Sequence, residues 1–295
     1  MKINLAKNIG FCFGVNRAYN IVDKFDKSKK HIYILGSLAH NPTVEKQITK
    51  WKITKIDDLS LLKKDDIVII TAHGIDPNII KKIKEKKANI LDTTCPKVAK
   101  IHDLVKKHYK NNFTIIIFGD KNHKEVIGIN GACGHQATVV DSLKEITAFL
   151  KNYKSNKPIC LVSQTTQNTK YYEDIKKYVR EFSKKNNIRY ISFDTICLTT
   201  QNRQTEITSL AKQNTSVLII GGIHSANTKR LCEISKQYNK NTFCIDELNQ
   251  KGKKYIDKYI INTNVDSLAI ISGASTPIDE INKIINYIKH DKSII

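Results

Sequence analysis

Three cysteines in this 295-residue sequence head similar passages, and thiols repeated in that way are candidate metal ligands. Counting from Cys12, Cys95 and Cys197, a glycine follows 24 residues on in each case, at Gly36, Gly119 and Gly221. A polar loop residue follows at 28 residues (His40, His123 and Ser225), and a predicted helix opens around residue 30 (Pro42, Glu125 and Asn227). Leu91-Asp-Thr-Thr-Cys95 also echoes Phe193-Asp-Thr-Ile-Cys197. The agreement describes a triplicated unit. A pseudo-threefold axis through three such units would bring the cysteines to one centre. There, three thiolates could hold three irons of a [4Fe–4S] cluster and leave the fourth iron open, able to act as a Lewis acid as well as an electron carrier.

The loops around that centre would carry His40, His73, His123, Thr165, Ser225, Asn227 and Ser275. All are neutral or weakly basic hydrogen-bonding residues, suited to wrapping a phosphate or diphosphate. Ser225-Ala226-Asn227 stands at a predicted helix start, where backbone N–H groups favour an anion; capping of the same helix is the other role for Ser225 and Asn227, and the two coexist. Glu125 is the one carboxylate at its repeat position. Beside a cluster and a diphosphate it could stay protonated and serve as an acid. As a first-turn residue it could equally interact with the helix dipole, and spacing does not choose between the two.

The other cysteines read differently. Seven occur, an odd number at wide spacing with no CxxC pair, and Met1 to Val15 lacks the apolar core of a signal peptide. These features argue against a disulfide framework and for a cytoplasmic protein. Cys160, Cys232 and Cys244 lie inside apolar patterns and read as small buried hydrophobes, as does Cys133 outside the repeat. His31, His102, His108, His135 and His290 read as surface or incidental residues, and His224 stays unassigned.

The elements that must position these groups are short apolar runs alternating with helical stretches. Strands are predicted over 31–36, 113–119 and 217–222, and helices over 98–109 and 200–213. A second strand in each unit ends in polar residues, at His73, at Ser163 to Thr166 and at Ser275. Continuous apolar runs between helices read as parallel strands buried on both faces, with ligands at their carboxyl ends. The expectation is an α/β trefoil of three pseudo-threefold-related units, mainly parallel in their sheets, around a central iron–sulfur cluster. The units span 1–94, 95–196 and 197–295, the last ending in a C-terminal helix, with no Gly/Ser-rich linker between them.

Composition excludes several classes. Lys and Arg number 49 against 28 Asp and Glu, a net charge of +21, and 40% of residues are apolar. That is a globular balance, with no run long enough for a membrane span. Arg supplies five of the 49 basic residues, and the lysines spread over predicted helix faces. A nucleic-acid binder would concentrate charge with Arg and interleaved aromatics, so a solvated surface is the reading here, with anionic substrates compatible.

Nine motifs in order then carry a resemblance that covers essentially the whole chain. Gly10-Phe-Cys12-Phe-Gly-Val-Asn-Arg17-Ala18, His40-Asn41, Ala72-His73-Gly74, Asp92-Thr-Thr-Cys95-Pro96 and His123-Lys-Glu125-Val resemble the 4-hydroxy-3-methylbut-2-enyl diphosphate reductase (IspH/LytB) family. Ser163-Gln-Thr165-Thr166, Cys197 with the Arg203-Gln204 stretch after it, Ser225-Ala226-Asn227 and Gly273-Ala-Ser275-Thr-Pro277 continue the match. The resemblance implies the last step of the non-mevalonate isoprenoid pathway, in which an allylic diphosphate alcohol loses its hydroxyl to give isopentenyl and dimethylallyl diphosphates. It implies cluster ligation by Cys12, Cys95 and Cys197, and diphosphate binding by His40, His73, His123, Ser225, Asn227 and Ser275. Glu125 would deliver protons, Thr165 would orient the hydroxyl and relay to it, and a ferredoxin or flavodoxin would donate electrons. The sequence departs from the family where Ala226 replaces a frequent Ser, leaving only a backbone N–H for contact there, and where His224 replaces a frequent Asn. A quinolinate-synthase-like lyase is the nearest rival reading, and the histidine loops and the opening motif argue against it.

Overall fold

Each of Cys12, Cys95 and Cys197 stands one residue ahead of a helix, and the chain after each runs through a closely similar series of elements, the first passing between its second and third strands without a helix. The computed structural model describes residues 1–28, 31–263 and 265–292. The chain opens with β1 (Lys2–Leu5) and α1 (Phe13–Lys24), followed by β2 (Ile32–Leu35), α2 (Pro42–Lys50), β3 (Thr54–Ile56), β4 (Ile67–Ile70), α3 (Pro77–Glu85) and β5 (Asn89–Asp92). After Cys95 come α4 (Pro96–Lys110), β6 (Thr114–Phe118), α5 (Lys124–Gly131), β7 (Thr138–Val140), α6 (Leu143–Lys151), β8 (Ile159–Ser163), α7 (Thr169–Lys185) and β9 (Tyr190–Ser192). After Cys197 come α8 (Leu198–Gln213), β10 (Ser216–Ile220), α9 (Ala226–Tyr238), β11 (Thr242–Ile245) and α10 (Gln250–Ile256). A π-helical turn (Asp257–Ile261), β12 (Ser267–Ser272) and α11 (Ile278–Lys292) complete the series.

The strands form three four-stranded sheets, and every pairing is parallel. Their orders are β3-β2-β4-β5, β7-β6-β8-β9 and β11-β10-β12-β1, one pattern used three times. In each sheet the outermost strand of the series, β5, β9 or β1, leads into the next repeat cysteine. The N-terminal strand therefore completes the sheet of the last repeat, with Ile3 opposite Leu268 and Leu5 opposite Ile270. The expected 1–94 unit placed this strand with the first sheet. Pairing to β12 moves it, because in the other repeats the equivalent edge strand also belongs to the sheet before the cysteine.

The chain divides into two compact units. One comprises Met1–Tyr19, Ser37–Lys52 and Leu198–Ile295; the other comprises Asn20–Gly36 and Ile53–Cys197. The first holds the sheet of β1, β10, β11 and β12, and the second holds the other two sheets.

Alternation within the strands explains why they read as unbroken apolar runs. In the first unit Val217, Ile219, Ala269 and Ile271 pack on Ile207 of α8 and Leu231 of α9. The intervening Leu218, Ile220, Leu268 and Ile270 pack on Ile256, Ile281, Ile284 and Ile288. In the second unit Ile115, Ile117, Cys160 and Val162 face α4 and α5, while Ile116, Phe118, Ile159 and Leu161 face α6 and α7. Both faces are covered, so both must be apolar. Cys133 and Cys160 are buried as expected. Cys232 and Cys244 are not separate thiols: a disulfide joins them. The two residues border one apolar cluster, from α9 and from β11, which brings together sulfurs that lie in unrelated apolar patterns of the sequence.

The repeat glycine has a steric reason in two of the three sheets. A Cβ on Gly119 would lie 2.7 Å from Val126 Cγ2 and 3.1 Å from Gln164 Oε1. A Cβ on Gly221 would lie 2.6 Å from Thr228 Oγ1. The end of the central strand passes directly beneath the first turn of the next helix, and that approach sets the loop between them. Gly119→Ala is expected to destabilise the protein by about 1–3 kcal/mol through this overlap, measured by denaturant unfolding.

Candidate active site

The predicted site residues fall into two groups, one in each unit. In the second unit the organising contact is between Glu125 and Thr165. Glu125 lies in the first turn of α5, 2% exposed. Thr165 follows the end of β8 and gives it two hydrogen bonds: its N–H donates to Oε1 at 2.6 Å and its hydroxyl donates to Oε2 at 2.8 Å. Burial pushes the Glu125 carboxyl up from its ordinary 4.5 to about 7, against the opposing pull of these two bonds. The group therefore holds or releases a proton near neutrality.

Thr165 is also tied to a cysteine, since its carbonyl accepts the Cys197 N–H at 3.0 Å. The same bond recurs at the two other repeat cysteines. Cys95 N–H donates to the Ala72 carbonyl at 3.0 Å, and in the first unit Cys12 N–H donates to the Ala274 carbonyl at 2.9 Å. Each acceptor stands two residues beyond the central strand, Thr165 beside Thr166, Ala72 beside His73 and Ala274 beside Ser275. Neighbouring side chains stiffen the second-unit loop: Gln164 accepts the Asp120 N–H and donates to the Thr166 hydroxyl, and Ser163 pairs with Thr195. His123 N-caps α5, its Nδ1 accepting the Glu125 N–H at 3.2 Å. The His73 and His123 rings meet edge to face with centroids 5.4 Å apart.

In the first unit, the loops after β10 and β12 carry the other group. Ser225 N-caps α9 by accepting the Thr228 N–H, so Ala226 and Asn227 open the helix. Asn227 is buried, and neither its Oδ1 nor its Nδ2 has a partner among the described residues; the same holds for Thr228 Oγ1. The Asn227 Nδ2 and the Thr228 hydroxyl are thus donors left unpaired at a helix N-terminus, an end whose polarity suits negative charge. Ser275 Oγ donates to the His40 carbonyl at 3.5 Å. Gly222 packs against that same carbonyl so closely that a Cβ would fall 1.9 Å from it. These contacts hold His40 beside the Ser225 and Ser275 loops. His224 is exposed.

Each repeat thiol is by itself a soft donor open to ligation. Cys12, Cys95 and Cys197 are half-buried and outside any disulfide. The Cys95 side chain makes no cap bond to its own helix, and Cys12 Sγ accepts the Val15 N–H at 3.5 Å. Cys160, by contrast, is pushed by burial up to about 12, away from the thiolate form a metal requires.

Arg203 was quoted in a motif but assigned no role, and the structure gives it one. Buried in α8, it donates from Nη1 to the Ser272 carbonyl and from Nη2 to the Gly10 carbonyl, each at 2.7 Å. Ser272 Oγ in turn accepts the Gly10 N–H at 2.9 Å. Together these bonds anchor the turn that presents Cys12. The available signal was compositional: an Arg in a chain that otherwise uses Lys marks a position needing a planar, multidentate donor.

The sequence matches the LytB protein family over residues 3–289. The chain belongs to that family. A LytB-family relative from Caldanaerobacter subterraneus subsp. tengcongensis, named 4-hydroxy-3-methylbut-2-enyl diphosphate reductase, is 36% identical over 98% of this chain and 97% of its own length. The solved structure of the E-1-hydroxy-2-methyl-but-2-enyl-4-diphosphate reductase from Plasmodium falciparum is similar with a TM-score of 0.83 at 31% identity, covering 97% of this chain and 87% of that one. A second solved reductase, described as the terminal enzyme of the non-mevalonate pathway, is similar with a TM-score of 0.67 at 30% identity, covering 98% of this chain and 100% of that one. The α/β architecture of parallel sheets is thus that of the family. Among the described residues no helix is long and apolar enough to cross a membrane.

Two predictions test this arrangement. Arg203→Lys cannot reach both carbonyls and is expected to cost about 2–3 kcal/mol of stability, read by thermal denaturation. For Glu125, the folded chain takes its proton at about 7 and the unfolded chain near 4.5. Stability contributed by the neutral carboxyl is therefore full below pH 4.5 and is lost as pH rises through 7. Glu125→Gln should raise the melting temperature relative to the parent at pH 8 and lose that advantage toward pH 4.5, the difference amounting to roughly 3 kcal/mol at most.

Proposed function

We propose that this chain is a 4-hydroxy-3-methylbut-2-enyl diphosphate reductase. It would reductively remove the hydroxyl of (E)-4-hydroxy-3-methylbut-2-enyl diphosphate to give isopentenyl and dimethylallyl diphosphates, the last step of the non-mevalonate isoprenoid pathway. The observation that carries the reading is the buried Glu125 carboxyl, near-neutral in its titration and doubly bonded to a threonine whose own carbonyl holds Cys197. An acid positioned in that way is required by a reaction in which the C–O bond breaks and oxygen leaves as water. Per turnover, two electrons and two protons are consumed, one C–O bond breaks and one C–H bond forms. Electrons would come from a cytoplasmic ferredoxin or flavodoxin-type donor, whose acidic surface suits a chain of net charge +21.

Cys12, Cys95 and Cys197 would hold a [4Fe–4S] cluster, which when bound supplies electrons one at a time and Lewis acidity at an iron without a protein ligand. The protein's own residues do the rest. In the ionised state Thr165 donates its hydroxyl proton to Glu125 Oε2. With Glu125 protonated the bond reverses, freeing the Thr165 hydroxyl proton for the departing oxygen while Glu125 replaces it. One proton thus moves at each of two adjacent oxygens, and the carboxylate left behind is held by the Thr165 N–H. The diphosphate would be bound by Ser225, the Ala226 N–H, Asn227 and Ser275, with His40, His73 and His123. The orphaned amide of Asn227 and the N-terminus of α9 favour an anion there without a buried lysine. Binding the diphosphate fixes the allylic end, converting remote binding energy into orientation.

The test is anaerobic purification with iron and sulfide counts, followed by reduced-dye oxidation with the allylic diphosphate alcohol. The expected result is a brown protein with about four irons that oxidises dye only in the presence of that substrate. Dye left reduced while the brown protein consumes no substrate overturns the assignment, as does a colourless protein after reconstitution. Glu125→Gln should keep the cluster and substrate affinity and lose turnover by about 10²-fold or more. Undiminished turnover in that variant removes Glu125 from the acid role.

A further inference from the structure

The three repeats are not electrostatically equivalent at their cysteines. Two residues after each cysteine stand Gly14, Lys97 and Thr199. Lys97 lies in the first turn of α4, a turn with no acidic residue, where a positive charge works against the helix dipole. Its ammonium does not turn to a carboxylate; among the described residues no acidic side chain pairs with it within 4.0 Å. It reaches instead to Cys197, with Nζ donating to Sγ at 3.3 Å. Cys197 thus presents a sulfur that accepts a hydrogen bond from a cationic side chain.

From this contact we infer that Lys97 is a positioning residue that sets the reduction potential of the site through Cys197. The inference rests on the proposed cluster ligation. Hydrogen bonds and positive charge at a ligand sulfur stabilise the more negative, reduced state of an iron–sulfur centre and raise its potential. A lysine here does both, and it does so at one ligand of three, so it biases electron acceptance without occupying the substrate loops. Its placement against the dipole is consistent with that use, because helix stability alone favours an acidic or neutral residue at this position.

The experiment is an anaerobic spectroelectrochemical titration of the reconstituted holoprotein without substrate, comparing the parent with Lys97→Met, Lys97→Gln and Lys97→Arg. The expected result is a fall of about tenfold in the one-electron reduction constant for Lys97→Met, a shift of about 59 mV to lower potential. Lys97→Gln should show an intermediate shift, and Lys97→Arg should stay near the parent. Loss of iron from both neutral variants but not from Lys97→Arg overturns the inference and makes Lys97 a residue of cluster retention instead. Equal potentials in the parent and Lys97→Met, at equal iron content, overturn the inference while leaving the proposed function intact. A parent protein that holds no iron overturns both.

Discussion

The hydrogen bond from each repeat cysteine's N–H to a carbonyl two residues beyond a central strand sets the geometry on which the site depends. It joins the end of one strand series to the start of the next at Ala72, Thr165 and Ala274, and so places a thiol beside a polar loop three times over. The backbone bond leaves the thiol available. The edge strands β5, β9 and β1 complete the arrangement by delivering the chain to each cysteine from the sheet just finished.

The three junctions have diverged in what surrounds them. At Thr165 the acceptor residue also grips Glu125, so the buried carboxyl and Cys197 are positioned through one residue. At Ala274 the surroundings are a buried guanidinium and a serine hydroxyl, which anchor the Cys12 turn. At Ala72 the neighbour is His73, whose ring meets that of His123. Equivalent positions have thus acquired different surroundings: a buried carboxyl, a guanidinium anchor and a pair of imidazoles. The disulfide between Cys232 and Cys244 lies between α9 and β11 and plays no part in these junctions.

How much of this was legible varies with the range of the interaction. Helix starts after each cysteine, the apolar strands and the loop residues at fixed offsets followed from periodicity and spacing, because both are local. That Lys2–Leu5 forms a strand of the last repeat's sheet was not legible, because parallel pairing joins residues more than two hundred positions apart and nothing in Lys2–Leu5 names its partner. Cys232 and Cys244 were read as separate hydrophobes because apolar context describes burial and says nothing of which sulfur faces which. Arg203 and Lys97 went unassigned for the same reason: their partners are carbonyls and a sulfur brought near by folding.

By itself, then, the sequence determined the repeat, the class of fold and the residue types able to carry the chemistry, since those depend on composition and short-range order. The family motifs added the order in which those residues are used. Tertiary structure decided the states of the groups. Glu125 in a sequence is a helix-start carboxylate with two possible roles; burial at 2% exposure and the two bonds from Thr165 make it an acid that titrates near neutrality. Asn227 is likewise a cap residue on paper, and only enclosure leaves its amide without a protein partner. Desolvation and hydrogen-bond satisfaction are properties of a packed environment, and no spacing rule contains them.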